Sequence, residues 1–193
     1  MNAAILVLVT LNFVLIATLP LVFFEKRDGR LSPMWWITVA PFFALPVFVA
    51  LHGIGYMAPL VASDGVVGRG LAIFAIASST LSIVLIVLTI GAHQARASLW
   101  HQEHDLPPML VTKGPYSRVR HPFYLAFLLM FLAAAAIVPN AGTISVLIYA
   151  AFLLNHTAAR EERRLCTSHF GKQYRSYIAR SGRFIPPLKR HLA

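Results

Sequence analysis

Long apolar runs without charged side chains constrain this chain more than any other feature. A spanning helix needs about 20 apolar residues to cross the bilayer core. Of the 193 residues, 58% are hydrophobic and 12% are charged. Five runs fit such helices: Ala3–Phe24, Met34–Leu60, Leu71–Ala92, Phe123–Val138 and Ala141–Ala159. The pattern predicts an all-α fold, a single membrane domain (1–193) built as an integral membrane bundle of five transmembrane helices.

The basic residues are placed mainly on one side of these predicted spans. The chain carries 17 Lys and Arg against 7 Asp and Glu, and a net charge of +10 would by itself suggest a nucleic-acid partner. If the five runs cross alternately, Arg69 alone among the 17 lies on the face opposite the others. Basic loops stay on the cytoplasmic side of membrane proteins. We therefore predict an N-terminus outside, a C-terminus in the cytoplasm and no nucleic-acid partner.

Two features organise the C-terminal half. Pro139–Asn140 separates the last two runs by a tight turn, which predicts an antiparallel helical hairpin over residues 123–159. Between Arg160 and Arg180, apolar residues recur at roughly helical spacing among basic ones. That spacing predicts a C-terminal amphipathic cytoplasmic helix against the membrane surface.

Three polar or glycine-containing patterns favour structural roles. Gly53 and Gly55 formally match a dinucleotide fingerprint, but no strand precedes them, so close helix packing is the better interpretation. His52, in the same run, is interpreted as a hydrogen-bonded polar group. The histidines and acids in residues 93–105 lack the spacing of a metal motif, and no metal is predicted. Residues 63–69 are predicted to form an external loop.

The polar stretch Gly114–Tyr124, reading GPYSRVRHPFY, lies between the third and fourth runs. Pro122 disfavours helical backbone at His121 and is well suited to begin a helix itself. That geometry would place the neighbouring basic side chains beside a helix N-terminus, where anionic groups are stabilised. On spacing alone, a basic loop that orients the helices is an equal alternative.

This stretch resembles the RHPxY signature of the isoprenylcysteine carboxyl methyltransferase and phospholipid methyltransferase superfamily, integral membrane enzymes that use S-adenosyl-L-methionine. A second block resembles the same superfamily: Glu161–Glu162, Phe170–Gly171, Tyr174, Tyr177 and Arg183–Pro186. Together the resemblance covers roughly Leu106 to Pro187. It implies an S-adenosylmethionine-dependent methyltransferase. The three N-terminal transmembrane helices, residues 1–92, are predicted from the apolar runs, and this half resembles the superfamily only in being hydrophobic. Residues 93–193 would then form the catalytic, cofactor-binding region.

The resemblance also implies the site residues. Those in cofactor-binding positions are Pro108, Met109, Leu110, Val111, Tyr116, Arg120, His121, Pro122, Phe123, Tyr124 and Glu162. The catalytic candidates from the resemblance are His121 and Glu162. His156 is a third candidate from its position, because Asn155 and His156 place neutral polar groups near the cytoplasmic end of the hairpin, where His156 would serve as a base for an amine or thiol acceptor. Glu161 lies about 100° from Glu162 around a helix and is expected to face elsewhere.

Several of these positions have structural alternatives. Tyr116 and Tyr124 are the kind of aromatic residue that anchors a protein at the membrane interface. Glu162 beside two arginines is typical of a solvated helix face, and His156 fits a hydrogen-bonded histidine near a helix end.

The acceptor is left open by the sequence. Four residues before the matching glutamate, the prenylcysteine enzymes carry an arginine associated with the substrate, and this chain has Ala158. A lipophilic or lipid-modified acceptor is expected. It would be a prenylcysteine carboxylate or, alternatively, a phospholipid amine such as phosphatidylethanolamine, or a small thiol. Membrane lipids are expected partners, and no oligomeric state is predicted. The alternatives without methyl transfer are a sterol-reductase-like NADPH enzyme and a noncatalytic membrane protein.

Overall fold

A computed structural model describes residues 10–12, 14, 33–61, 65–92 and 109–187. Within these ranges the chain forms five long helices and a 3-10 turn at Gly114–Ser117. The helices are α1 (Pro33–Gly53), α2 (Gly65–Ala92), α3 (Pro122–Ile137), α4 (Ala141–Thr167) and α5 (Gly171–Arg180). No strand occurs in the described ranges, which confirms the all-α prediction. The first predicted run, Ala3–Phe24, falls largely outside them.

The surface of α2 is arranged as in a membrane helix. α2 and α4 are long and apolar enough to cross a bilayer, and α3 and part of α1 are shorter apolar helices. The buried face of α2 carries mainly small or hydroxylated residues: Ala75, Ser78, Ser79, Ser82, Ile86 and Thr89. Its exposed residues include Ile73, Phe74, Ile76, Leu81, Val84, Val87, Leu88 and Ile90. Small residues let membrane helices approach closely while large apolar ones face lipid, so the arrangement indicates a membrane protein.

Helix α3 lies at the centre of the bundle. Phe127 and Phe131 are fully buried, and the ring of Phe42 from α1 packs edge-on against both, with centroids 5.5 and 5.0 Å away. From α2, the Ser82 hydroxyl donates to the Ala126 carbonyl at 2.7 Å. These contacts fix the N-terminal half of α3, where the polar stretch Gly114–Tyr124 ends.

A short turn joins α3 to α4, and the two helices pack against each other. Asn140 caps α4, because its Oδ1 accepts from the Thr143 N–H at 2.9 Å while its own N–H donates to Thr143 Oγ1 at 3.3 Å. This reciprocal pair is a capping box and satisfies two backbone donors at the helix start. Within the same first turn, α1 packs closely on α4 at Gly142, where a Cβ would overlap the ring of Phe48.

The connection between α1 and α2 differs from the sequence interpretation. α1 ends at Gly53, and among the described residues a Cβ at Gly53 or Gly55 would have no neighbour within 4 Å. These residues do not show the close helix packing expected there, and Gly55 provides a φ of 82° in the turn after the helix. His52 Nδ1 donates to the Met57 carbonyl at 2.9 Å, which confirms it as a satisfied polar group. α2 begins at Gly65, inside the segment predicted as a loop.

The predicted amphipathic helix is divided in two. α4 continues beyond its apolar part to Thr167, and α5 starts only at Gly171. A Cβ at Gly171 would lie 2.5 Å from the Cys166 carbonyl oxygen, so the chain can turn this tightly only with glycine. Ser168 supports the turn by donating its hydroxyl to the Leu165 carbonyl at 2.8 Å. The charged C-terminal part of α4 therefore continues the apolar part of the same helix without a break.

Candidate active site

The loop before α3 is held against the segment that follows α5 by three backbone hydrogen bonds. The Gly182 N–H donates to the Arg118 carbonyl at 3.0 Å, and the Arg120 N–H donates to the Gly182 carbonyl at 2.8 Å. The His121 N–H donates to the Arg183 carbonyl at 3.1 Å. Two sequence motifs that are far apart in the chain therefore meet here as a short ladder.

Helix α5 covers the same loop with two tyrosines. The Tyr177 hydroxyl donates to the Tyr116 carbonyl at 2.6 Å, and Tyr174 and Tyr177 are each 2% exposed. Burial raises the pKa of Tyr177 to about 12. Burial also raises the pKa of Tyr116 and Tyr174 above the usual tyrosine range. These phenols are therefore neutral at physiological pH, and Tyr177 acts as a hydrogen-bond donor.

Glu162 of α4 is held by two arginines, one from the loop before α3 and one from the segment after α5. Arg120 Nε donates to Glu162 Oε1 at 2.9 Å. Arg183 donates to both carboxylate oxygens, from Nε to Oε1 at 3.1 Å and from Nη2 to Oε2 at 2.7 Å. The Arg120 Nη1 also donates to the carbonyl of Ser181. The side chains of Arg120 and Glu162 are each 9% exposed, so this ion pair is largely removed from solvent.

The carboxyl of Glu162 stays ionised in this position, beyond the apolar part of α4. Burial raises its pKa, but adjacent His121 and the hydrogen bonds from Arg183 and Arg120 outweigh burial, and the pKa lies well below its usual range. One carboxylate therefore faces two guanidinium groups. The trio carries one net positive charge.

His121 lies between two carboxylates. Its Nδ1 is 3.5 Å from Glu161 Oε2 and its Nε2 is 3.3 Å from Glu162 Oε1. The imidazole is 9% exposed and lies parallel to the Tyr124 ring, with centroids 5.3 Å apart and an interplanar angle of 2°. The Nε2 contact with Glu162 is not aligned as a hydrogen bond, and this buried nitrogen has no hydrogen-bond partner in the part of the chain that the structure describes. An unpaired buried polar atom is a candidate contact for a ligand.

Glu161 also belongs to this cluster, so the expectation that it faces elsewhere is wrong. The Tyr124 hydroxyl donates to Glu161 Oε1 at 2.5 Å, and the Glu161 side chain is 29% exposed. Adjacent helical residues do diverge by about 100°. Both carboxylates nevertheless reach the cluster, because the His121 ring extends from one to the other.

The other predicted cofactor positions differ in their burial. Pro122 is buried at the start of α3, and Phe123 is half-buried with its ring centroid 6.5 Å from that of Phe127. Met109 is exposed, and the half-buried positions beside it are Leu110 and Val111. Pro108 lies outside the described residues, as do the histidines and acids of residues 93–105. Among the residues that are described, no group of three metal-ligating side chains occurs.

His156 is not brought into the cluster. It is exposed on α4, and its ring stacks on that of Phe152 at a centroid distance of 6.3 Å. Its neighbour Asn155 is the residue that joins the site, because Asn155 Oδ1 accepts from Arg183 Nη1 at 2.8 Å. Sequence reasoning missed Asn155 and Arg183 as site residues. The only signal for Arg183 was its place in the second motif block.

Comparison with known proteins places this arrangement in a family. The model of the isoprenylcysteine carboxyl methyltransferase family matches residues 71–167, which is 97 of the 193 residues. The chain belongs to the isoprenylcysteine carboxyl methyltransferase family. It is therefore a member of a family of membrane methyltransferases. The match includes Arg120 and His121 before α3, Tyr124 of α3, and Asn155, Glu161 and Glu162 of α4. Gly182 and Arg183 complete the site from beyond the matched residues.

One curated relative matches part of the chain. It is the cobalt-zinc-cadmium resistance protein CzcN of Cupriavidus metallidurans, 37% identical over 79 residues. The match covers 41% of this chain and 36% of the relative, so the chain spans about a third of that protein's length. No solved structure matches.

Proposed function

We propose that this protein is an S-adenosyl-L-methionine-dependent methyltransferase acting on a lipophilic acceptor at the cytoplasmic edge of the membrane. Family membership supports methyl transfer in general. The observation that carries the proposal is the position of His121 between Glu161 and Glu162 at the start of α3. His121 is a buried polar group whose hydrogen bonds are not all made, and it lies beside a helix N-terminus. Such a position suits a charged and polar cofactor.

The residues present fit the groups of such a cofactor. His121 Nε2 is buried without a hydrogen-bond partner among the described residues, and Glu161 is a partly exposed carboxylate that accepts one hydrogen bond, from Tyr124. Glu161 would hold an ammonium group or ribose hydroxyls, and His121 would contact a polar group beside it. Glu162 is already occupied by two arginines. We assign it the role of fixing Arg120 and Arg183 in place.

Methyl transfer from this cofactor needs little covalent help from the protein. When bound, S-adenosylmethionine supplies a methyl group that is already activated by the positive sulfur. The side chains then contribute by orienting the reactants and by complementary charge. Glu161 supplies negative charge, while the Tyr124 hydroxyl and the His121 ring hold that carboxylate in place. Met109, Leu110 and Val111 would pack on the adenine side, together with the half-buried Tyr116.

The membrane arrangement proposed from the basic residues has five spans with the N-terminus outside. α2 and α4 support two of the spans directly, and the outward apolar face of α2 supports a bilayer environment. Helix α3 has 16 residues, fewer than a full crossing needs. A short α3 keeps its N-terminal end, and with it His121, at the cytoplasmic edge, where a lipophilic acceptor can enter from the bilayer.

Three acceptor classes fit this function: a carboxylate on a lipid-modified residue, a phospholipid amine and a small thiol. His156 is exposed at the same end of α4 and would serve as a base only for the last two. The curated relative is named for metal resistance but covers 41% of the chain, and its name does not identify an acceptor.

Binding of the methyl donor, S-adenosylmethionine, by the purified full-length chain tests the proposal. We expect S-adenosylmethionine to bind in calorimetry, and His121→Ala to weaken it about tenfold or more, because losing one polar contact costs about 1–3 kcal/mol. His156→Ala is the matched control and should bind the donor as the native protein does. Incubation with methyl-labelled donor and a native lipid extract should then label a lipophilic product. No donor binding by the folded native protein would reject the function.

A further inference from the structure

Helix α5 turns an aromatic side inward and a basic side outward. Tyr174 and Tyr177 on its inner side are each 2% exposed, and the Tyr177 hydroxyl bonds to the loop before α3. The basic residues of the helix are all exposed: Lys172, Arg175 and Arg180. The tyrosines of α5 thus pack within the protein, and its outer surface is suited to an anionic partner.

The region around α5 offers these cations little negative charge. Residues 109–187 contain ten Lys and Arg but two acidic residues, Glu161 and Glu162. Both carboxylates belong to the candidate site and already accept hydrogen bonds there. Arg118 and Arg180, which are exposed, form no ion pair with the described residues. Their charges are therefore available to a ligand.

Arg118 and Arg180 flank the backbone ladder that assembles the site. The Arg118 carbonyl accepts from the Gly182 N–H at 3.0 Å, and Arg180 ends α5 two residues before Gly182. Burial raises the pKa of Tyr177, whereas the charges of Arg120 and Arg180 lower it. Arg180 therefore lies near the phenol that bonds to the loop before α3. Two guanidinium groups anchored beside the same ladder suit a single phosphate, which accepts hydrogen bonds from both.

The 3-10 turn beside Arg118 lies where the lipid-facing surface of α2 ends. Ile90, 42% exposed, belongs to that surface, and α2 ends at Ala92. A Cβ at Gly114 would lie 3.4 Å from the Ala92 Cβ, so the turn packs against this end of α2. Lys113 and Arg118 are exposed at the two ends of the turn. Lipid phosphates lie directly beyond the apolar core of a bilayer, so these cations are at the depth of the head groups.

We propose that Arg118 and Arg180, with Lys113 beside them, bind the phosphate of an anionic phospholipid that acts as a regulator and not as the methyl acceptor. The phosphate bridges the loop before α3 and the end of α5, and so stabilises the ladder between them. Because the ladder also positions Arg120 and His121, the bound lipid strengthens donor binding.

An anionic lipid fits this surface better than an acidic protein does. The cations lie at head-group depth on the side predicted to be cytoplasmic, where membranes carry anionic lipids. The binding of the lipid does not depend on the proposed function. Its effect on donor affinity does rest on that function.

Lipid binding is measured first, on the full-length protein in neutral maltoside micelles without donor. We expect fluorescent phosphatidylglycerol to bind about tenfold or more tightly than fluorescent phosphatidylcholine. Arg118→Gln and Arg180→Gln should each weaken phosphatidylglycerol binding about fivefold, because each removes one cation that contacts the phosphate. Both side chains are exposed and form no ion pair with the described residues, so the variants should fold as the native chain does. Arg180→Lys retains the charge and should recover most of the affinity.

Lys172→Gln is the matched control, because it removes one positive charge from the exposed side of α5 at the opposite end of the helix. It should leave phosphatidylglycerol affinity unchanged. The site is rejected if phosphatidylglycerol binds no tighter than phosphatidylcholine, or if Lys172→Gln weakens it as much as Arg180→Gln does. Inorganic phosphate distinguishes the source of the ligand. If it binds as tightly as phosphatidylglycerol, the surface is a site for free anions and the lipid site is rejected.

Donor affinity is then compared in phosphatidylcholine nanodiscs with and without phosphatidylglycerol. The anionic lipid should raise S-adenosylmethionine affinity about fivefold or more, and the donor should tighten phosphatidylglycerol binding by the same factor. A variant that combines Arg118→Gln with Arg180→Gln should lose this coupling. Selective lipid binding without any donor binding rejects the proposed function alone. Donor binding without lipid selectivity rejects this inference alone, and binding of both without coupling rejects the regulatory role.

Discussion

The Tyr124 hydroxyl donates a hydrogen bond of 2.5 Å to Glu161 Oε1 and so links the first turn of α3 to the charged end of α4. The Tyr124 ring also lies parallel to the imidazole of His121, whose Nδ1 is 3.5 Å from the other oxygen of the same carboxylate. Glu161 is thereby oriented by two residues of the RHPxY motif. This carboxylate, and not only its neighbour Glu162, is part of the site.

Glu161→Gln and Tyr124→Phe should each reduce affinity for S-adenosylmethionine. Glu161→Gln removes the negative charge that is proposed to bind the cofactor. Tyr124→Phe removes the hydroxyl that orients the Glu161 carboxylate by a hydrogen bond. Hydrogen bonds to charged groups contribute about 1.5–3 kcal/mol, so calorimetry should show a loss of about tenfold or more for Glu161→Gln. The double variant should lose less than the two single losses combined, because both remove the same bond. Strict additivity would show that Tyr124 does not act through Glu161.

Glu162→Gln should act mainly on stability. Removing one partner of a buried ion pair leaves uncompensated charge and costs about 3–5 kcal/mol. Here the carboxylate serves both Arg120 and Arg183. Thermal unfolding in micelles should show a larger decrease for Glu162→Gln than for Glu161→Gln, which removes the same charge from a more exposed side chain. Equal decreases would mean that the two arginines do not depend on Glu162.

The contribution of Glu162 to stability should depend on pH with a defined sign. Its folded pKa is held below the ordinary value of 4.5, so its stabilising contribution is fully present above that value and is lost as the pH falls through the folded pKa. The stability difference between the native chain and Glu162→Gln should therefore stay constant from pH 8 to about 6. A difference that disappears in this range would contradict an ionised, arginine-bound Glu162.

The predicted orientation can be checked at two exposed positions. Val66, 76% exposed at the start of α2, should lie outside, and Ser117, exposed in the 3-10 turn, should lie in the cytoplasm. Single cysteines at these positions, in a Cys166→Ser background, should react with an impermeant maleimide from opposite sides of sealed vesicles. Labelling of both from the same side would contradict the basic-residue asymmetry.

Local sequence signals predicted much of the fold because they act over a few residues. Pro122 begins a helix, as its fixed φ and missing N–H favour, and the tight turn predicted at Pro139–Asn140 lies between α3 and α4. Helix boundaries that depend on how closely two segments approach were less predictable. The break at Gly171 depends on how closely the Cys166 carbonyl approaches, and a sequence pattern does not contain that distance.

The site was predicted only where its residues belong to a motif. His121 and Glu162 were found through the family resemblance, and the structure brings them within 3.3 Å. The role of Arg183 depends on a ladder between segments that lie far apart in the chain, so spacing could not indicate its partners. The prediction that Glu161 faces away considered only the angle between adjacent residues of a helix. It did not consider that the His121 ring is wide enough to contact both carboxylates.

Gly182→Ala should disrupt the site without changing any charged residue. Gly182 makes two of the three ladder hydrogen bonds to the loop before α3, and a Cβ there would overlap the Ile185 carbonyl oxygen. Because that neighbour is backbone, the segment after α5 has to move, and we expect this movement to weaken the hydrogen bond from the Arg120 N–H to the Gly182 carbonyl. We expect lower thermal stability and at least tenfold weaker donor binding.

Gly70→Ala provides the control for this change. It makes the same substitution in α2, where a Cβ would meet no atom of the described residues within 4 Å. Alanine is favoured over glycine inside a helix by about 1 kcal/mol, so this variant should be as stable as the native chain or slightly more stable. Its donor affinity should be unchanged. If Gly182→Ala behaved like Gly70→Ala, the ladder would not be what positions Arg120 and His121 beside the two glutamates.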